Sequence, residues 1–126
     1  GILWNKPVAI CFIRPHRYTF QFAENNPYFS LSFFDEEHRQ ILDFCGSHSG
    51  RDIDKIAATG LKPVQLNNGC VSFEQAALVF ECFKLYADYF KQEKFIVTEI
   101  IRKIYPVKDF HRFFIGEIIN CYLKKH

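Results

Sequence analysis

Residues 8–13, Val-Ala-Ile-Cys-Phe-Ile, form an unbroken apolar run between Pro7 and Pro15. A run of that length with no polar position predicts a strand buried on both faces, because a half-exposed strand would alternate. Phe29, Leu31 and Phe33 do alternate with Ser30 and Ser32, which predicts a second strand over residues 29–34 with one more polar face. Residues 78–90 fit two patterns: Val79, Phe83, Tyr86 and Phe90 suit a helix, whereas alternation suits a long strand, and the aromatic load favours the strand. Over residues 110–123, Phe113, Ile115, Ile119, Cys121 and Leu123 predict one face of a last strand. Glu117 interrupts that face, and Gly116 marks a bulge or a close approach.

Between these strands the pattern is helical but brief. A weak helix is predicted over residues 18–25. Asp35 can cap a helix whose first turn holds Glu36 and Glu37, whose stripe is Ile41, Leu42 and Cys45, and which Gly46 stops. Residues 52–59 predict another short helix, ended by Gly60. Pro63 and Asn67-Asn68-Gly69 supply turn chemistry between short extended pieces. Ile96, Ile100, Ile101 and Ile104 predict a helix over residues 93–105 that Pro106 ends. The sum is a mainly β chain with short helices, of the α+β class, in one domain over residues 1–126 without linker or repeat.

At 126 residues, such a domain buries roughly two-thirds of the surface its unfolded chain exposes, enough for a core without staples. A net charge of +2 argues against a nucleic-acid or membrane-surface partner. No apolar run approaches the ~18 residues of a membrane span, and no secretory leader is visible, so the expected location is the cytoplasm. The five cysteines contain no CxxC pair and leave one over, which predicts reduced thiols used as small hydrophobes. His38, Cys45 and His48 match no zinc spacing. No P-loop or GxGxxG is present, and Glu36 and Glu37, adjacent on a helix, point apart.

Two polar islands carry the chemistry. Arg14-Pro15-His16-Arg17-Tyr18-Thr19 follows the apolar run at the point where a short helix can begin. Outward backbone N–H groups and planar guanidiniums there suit a phosphate. Equally, Pro15 can simply stop the strand, Thr19 cap the helix and the arginines face water. Gly46-Ser47-His48-Ser49-Gly50-Arg51-Asp52 lies between two helical patterns. Its glycines allow an anion-binding concavity, or mere helix termination and capping.

Taken in order, Trp4-Asn5-Lys6-Pro7-Val8, the Arg14–Thr19 hexapeptide, Phe29-Ser30-Leu31-Ser32-Phe33-Phe34, residues 45–55 (Cys-Gly-Ser-His-Ser-Gly-Arg-Asp-Ile-Asp-Lys) and His111-Arg112-Phe113-Phe114-Ile115-Gly116-Glu117-Ile118 resemble the flavin reductase-like family. The resemblance covers about residues 1 to 124, and the two polar islands in combination are its specific part. It implies an antiparallel Greek-key FMN-binding split barrel, a homodimer, and FMN held noncovalently near the subunit interface. It further implies that NAD(P)H reduces the flavin, which then passes electrons to an acceptor; the isoalloxazine carries the hydride chemistry, so no catalytic triad is demanded. Arg17 and Thr19 are the first expected phosphate contacts, with Arg14 behind them, Ser47, Ser49 and Lys55 next, and His48 at the mouth of the site. Family members carry further residues before the Trp-Asn-Lys-Pro stretch, including a ring-contacting segment. The expectation is therefore an N-terminally truncated domain that binds FMN weakly. The alternative is a noncatalytic FMN-binding carrier, or a homologue that no longer binds flavin.

Overall fold

The computed structural model describes residues 1–50 and 54–124. Its main sheet has five strands: β1 (Ile2–Leu3), β2 (Lys6–Ile13), β3 (Tyr28–Phe33), β6 (Leu78–Tyr89) and β7 (Arg112–Leu123), in the order β1-β2-β7-β6-β3. Every pairing is antiparallel. A separate two-stranded ladder joins β4 (Pro63–Gln65) to β5 (Val71–Phe73). Four short helices decorate the sheets: α1 (Phe20–Asn25), α2 (Arg39–Ser47), α3 (Lys55–Thr59) and α4 (Glu99–Ile104).

The core forms where β2, β7, β6 and β3 lie side by side. Phe29, Cys82 and Phe114 are its buried centre, and Ala9, Cys11, Ile13, Leu31, Phe80 and Ile118 pack around them. Gly116 allows this approach: a Cβ there would stand 2.6 Å from the Phe29 ring and 2.9 Å from the Cys82 Cβ. Close approach is the reason for that glycine. The β6–β7 register shifts twice, at Ile119 of β7 opposite Glu81 and Cys82 and at Leu85 of β6, between Lys84, which faces Gly116, and Tyr86.

Several expectations change. Residues 8–13 are not buried on both faces: Ala9, Cys11 and Ile13 face the core, but Ile10 and Phe12 remain 45% and 54% exposed. Phe12 instead joins an aromatic row on the outer face, stacked on Phe90 at 5.7 Å and 6.5 Å from Phe113. On β7 both stripes are used, so Phe114 enters the core while Phe113 meets Phe12, Tyr86 and Phe90.

The expected helix over residues 93–105 is broken into a 3-10 turn, Gln92–Lys94, and α4. Phe95 leaves the helical path to pack against Phe90, Tyr105 and Phe110, and the β-branched run Ile96-Val97-Thr98 does little to hold a helix there. Asp35 makes no side-chain cap and precedes a 3-10 turn, Glu36–His38, before α2 begins. Gly46 lies inside α2, which runs on to Ser47. Gly60 does end α3, in the left-handed conformation with φ +73°, and Asp54 caps its start by accepting from the Ala57 N–H at 3.2 Å.

Candidate functional site

Once β2 ends at Ile13, the chain loses its sheet partner and must be fixed by side chains. Arg14 supplies most of this. Its Nη1 donates to Asp109 Oδ2 at 3.2 Å, its Nη2 to the Ile104 carbonyl at 2.7 Å, and its guanidinium lies 5.1 Å from the centre of the Tyr105 ring. Arg14 is thus spent on the connector between β6 and β7. His16 sits beside the same carboxylate, its Nδ1 3.5 Å from Asp109 Oδ2.

Arg17 and Thr19 are differently placed. Two turns, Arg17 N–H to Arg14 O at 3.1 Å and Phe20 N–H to Arg17 O at 3.0 Å, carry the backbone into α1. Thr19 occupies the N-cap position in helical conformation, and its hydroxyl makes no capping bond. Among the described residues the half-buried Arg17 guanidinium has no hydrogen-bond or ion-pair partner. Thr19 also borders a cavity of about 850 Å³ walled by Cys11 and Phe12 of β2, Phe22 of α1, Phe29 of β3 and the Asn68–Val71 turn.

The described residues of the second polar island meet the first at Gly50. The Tyr18 ring covers Gly50, where a Cβ would lie 2.8 Å from Tyr18 Cδ1, and the same ring meets Phe22 edge-on at 5.4 Å. Among the described residues, Ser47 and His48 of that island and Lys55 beyond it serve the C-terminus of α2, whose last carbonyls have no helical partner. Ser47 Oγ donates to the Phe44 carbonyl at 3.2 Å, His48 Nδ1 to the same oxygen at 2.9 Å, and Lys55 Nζ to the Cys45 carbonyl at 2.6 Å. His48 also stacks on Phe44, with centroids 4.1 Å apart. Ser49, half-buried, is engaged in a contact of its own. Arg51, Asp52 and Ile53 lie outside the described residues.

The partners that fix Arg14 lie far along the chain. Asp109 and Tyr105 are some ninety positions from Arg14, as the sequence separations of 95 and 90 to Asp109 and Ile104 show. No local pattern announces such a pairing. The Tyr18–Gly50 contact had a signal, since a glycine between two polar residues invites a close neighbour.

Cys11, Cys45, Cys70, Cys82 and Cys121 are all free. Burial raises the Cys11 and Cys70 thiols that line the cavity, and pushes Cys82 up to about 12. These three are protonated at neutral pH, and Cys11 and Cys70 serve as cavity walls. Among the described residues no group of His, Cys, Asp and Glu is placed to hold a metal ion, and no helix is long and apolar enough to cross a membrane.

A family model, the flavin reductase like domain, matches residues 4–126. The chain belongs to this family. No curated relative matches the flavin reductase-like chain, but solved structures do. An FMN-binding protein from Thermus thermophilus with bound p-hydroxybenzaldehyde aligns with TM-score 0.75 at 23% identity, covering 99% of this chain and 59% of its own. Flavoredoxin from Methanosarcina acetivorans gives 0.72 at 23% identity, with 98% and 56% covered. Nitrilotriacetate monooxygenase component B from Bacillus cereus gives 0.73 at 13% identity, with 99% and 58% covered. The flavin reductase-like chain thus spans under three-fifths of the length of these structures. It shares their mainly antiparallel split-barrel architecture.

Proposed function

We propose that this flavin reductase-like chain binds FMN, with the phosphate on Arg17 and Thr19, and serves an oxidoreductase that moves electrons from NAD(P)H to flavin and on to an acceptor. The observation that carries the reading is the contrast in donors. Arg14, Ser47, His48 and Lys55 each have a donor engaged within the fold, whereas among the described residues the Arg17 guanidinium has no partner and Thr19, two residues on at the rim of an apolar cavity, makes no capping bond.

Residues fit the group. A guanidinium and a hydroxyl suit a phosphate dianion, and apolar walls suit an aromatic ring system. Ser49 adjoins through the Tyr18–Gly50 contact, and Ser47 would donate to an anion only by giving up its bond to the Phe44 carbonyl. Bound flavin supplies hydride and electron transfer; the chain supplies the phosphate anchor and a wall of protonated thiols and aromatic rings.

Titration of FMN and riboflavin against wild type and Arg17→Ala tests this. One charge-assisted hydrogen bond contributes about 1.5–3 kcal/mol, so FMN binding should weaken roughly ten- to a hundredfold. Riboflavin, lacking phosphate, should bind wild type less well and ignore the substitution. Equal losses would show that Arg17 acts through the fold.

A carrier without turnover is the second reading, favoured by neighbours named for FMN binding and as flavoredoxin. Steady-state oxidation of NADH or NADPH separates the two. Free thiols accord with a cytoplasmic location, and the exposed aromatic row on the outer face accords with a homodimer.

A further inference from the structure

The connector between β6 and β7 holds a cleft of about 670 Å³ that includes none of the proposed FMN contacts. Its size is that of a small-molecule site rather than of a bare ion. One wall is Tyr105, only 5% exposed. The Tyr105 hydroxyl shares a hydrogen bond of 2.5 Å with His111 Nδ1, while its ring is held by Arg14 and by Phe95 and Phe110 at 6.0 and 4.8 Å. That wall is rigid.

The charges around it are unequal. Lys108 and Arg102 border the cleft against one carboxylate, Glu93, with Thr98 and Gln92 adding neutral polar groups. Lys108 takes a left-handed backbone, φ +59°, fixed by its N–H to the Tyr105 carbonyl at 3.0 Å. A lysine gains nothing from that conformation locally, and strain of this kind collects at functional positions. Among the described residues the Lys108 ammonium has no hydrogen-bond or ion-pair partner. Among the described residues Arg102 is held by Glu99, at 3.7 Å between exposed groups, and Lys103 reaches the same carboxylate at 3.2 Å. Arg102 can therefore turn to a ligand while Glu99 keeps a counter-charge.

We propose that this cleft binds a small molecule bearing a carboxylate or a phosphate, its charge taken by Lys108 and Arg102 against the fixed wall of Tyr105.

The test is the shift of the Lys108 backbone amide in nitrogen–proton NMR spectra of the full chain. Citrate, glucose 6-phosphate and glucose are titrated at one ionic strength held with sodium chloride. The variants are Lys108→Asn, whose side chain tolerates a left-handed backbone, Arg102→Gln, and Lys103→Gln as an exposed cation outside the cleft. Thermal melts confirm that each variant is folded. Saturable binding of an anion is expected, weakened roughly tenfold or more by Lys108→Asn and by Arg102→Gln and unchanged by Lys103→Gln. Binding of citrate alone assigns a carboxylate ligand, and of glucose 6-phosphate alone a phosphate ligand. Failure of both anions to saturate, equal binding of glucose, or equal weakening by Lys103→Gln overturns the site.

Discussion

Glu81 is a carboxylate with no solvent exposure in the middle of β6. It is tolerated because three donors reach it: Asn120 Nδ2 at 2.7 Å, the Asn68 backbone N–H at 3.1 Å and the Tyr122 hydroxyl at 3.3 Å. Burial pushes this carboxyl up, but the bonds from Asn120, Asn68 and Tyr122 outweigh it and leave the carboxyl below its ordinary 4.5. Glu81 thereby ties the turn after β4, which walls the cavity at Asn68–Val71, to the sheet. A group lowered on folding adds stability that is fully present above its unfolded value and lost as pH falls through its folded value. Denaturant melts should show stability declining below about pH 4.5 for wild type, with a shallower decline for Glu81→Gln. That variant should also lose about 1–3 kcal/mol at neutral pH, because an amide keeps one acceptor oxygen and turns its NH₂ on a donor. If Glu81→Gln melts like wild type at both pH values, the carboxylate is not the tie. Gly116→Ala belongs to the same scale: a methyl 2.6 Å from Phe29 and 2.9 Å from Cys82 meets packed groups on two strands. It should cost about 1–3 kcal/mol by overpacking, read as a lower midpoint with an unchanged denaturant slope.

Among the elements, α1 has the least of its own to stand on. It spans six residues, has no side-chain N-cap and buries none of them fully, and a helix so short does not form alone. Its C-terminal carbonyls, Ala23 and Glu24, accept from Lys84 Nζ, while Glu24 pairs with Arg112 at 3.0 and 3.1 Å. Lys84 also lies over the Phe114 ring at 4.2 Å, and burial lowers its pKa. Lys84→Met should keep the sheet, speed amide exchange across Phe20–Asn25 and weaken FMN more than riboflavin, since Thr19 starts this helix. Protection of α1 unchanged from wild type would count against the tie. The same contrast between local and distant determinants decides what could be read beforehand. The strand over residues 78–89 was legible because β-branched and aromatic residues recur along it, and the end of β2 at Ile13 was legible because the apolar run stops there before Arg14. The break at Phe95 was not, since its reason is three rings brought from Phe90, Tyr105 and Phe110. Nor was the loss of Arg14 to Asp109, which only the β2–β7 register brings together.

On the outer face of the whole molecule, the sheet leaves an aromatic row without cover. Phe12 stacks on Phe90, Phe90 lies 5.3 Å from Phe113, and Tyr86 stacks on Phe113 at 6.2 Å, so one apolar surface runs across β2, β7 and β6. Phe12 is 54% exposed and Tyr86 49%, with Ile10 beside them at 45%. Scattered apolar residues need no partner, but a contiguous row does, because it would otherwise keep several large side chains in water. The rings already contact one another, so a partner would find a surface whose rotamers are set, and association would cost little further side-chain ordering. A second copy of the chain meeting this row is the expected occupant. Sedimentation at micromolar concentration should give a dimer for wild type. Phe12→Glu, which puts a charge at the exposed end of the row and leaves the Phe29–Cys82–Phe114 core untouched, should give a folded monomer. Ile96→Glu is the control, because that side chain is exposed on the β6–β7 connector and belongs to no ring contact of the row; it should remain dimeric. A monomeric wild type, or a Phe12→Glu protein as dimeric as the control, would mean that this face is not where two copies meet.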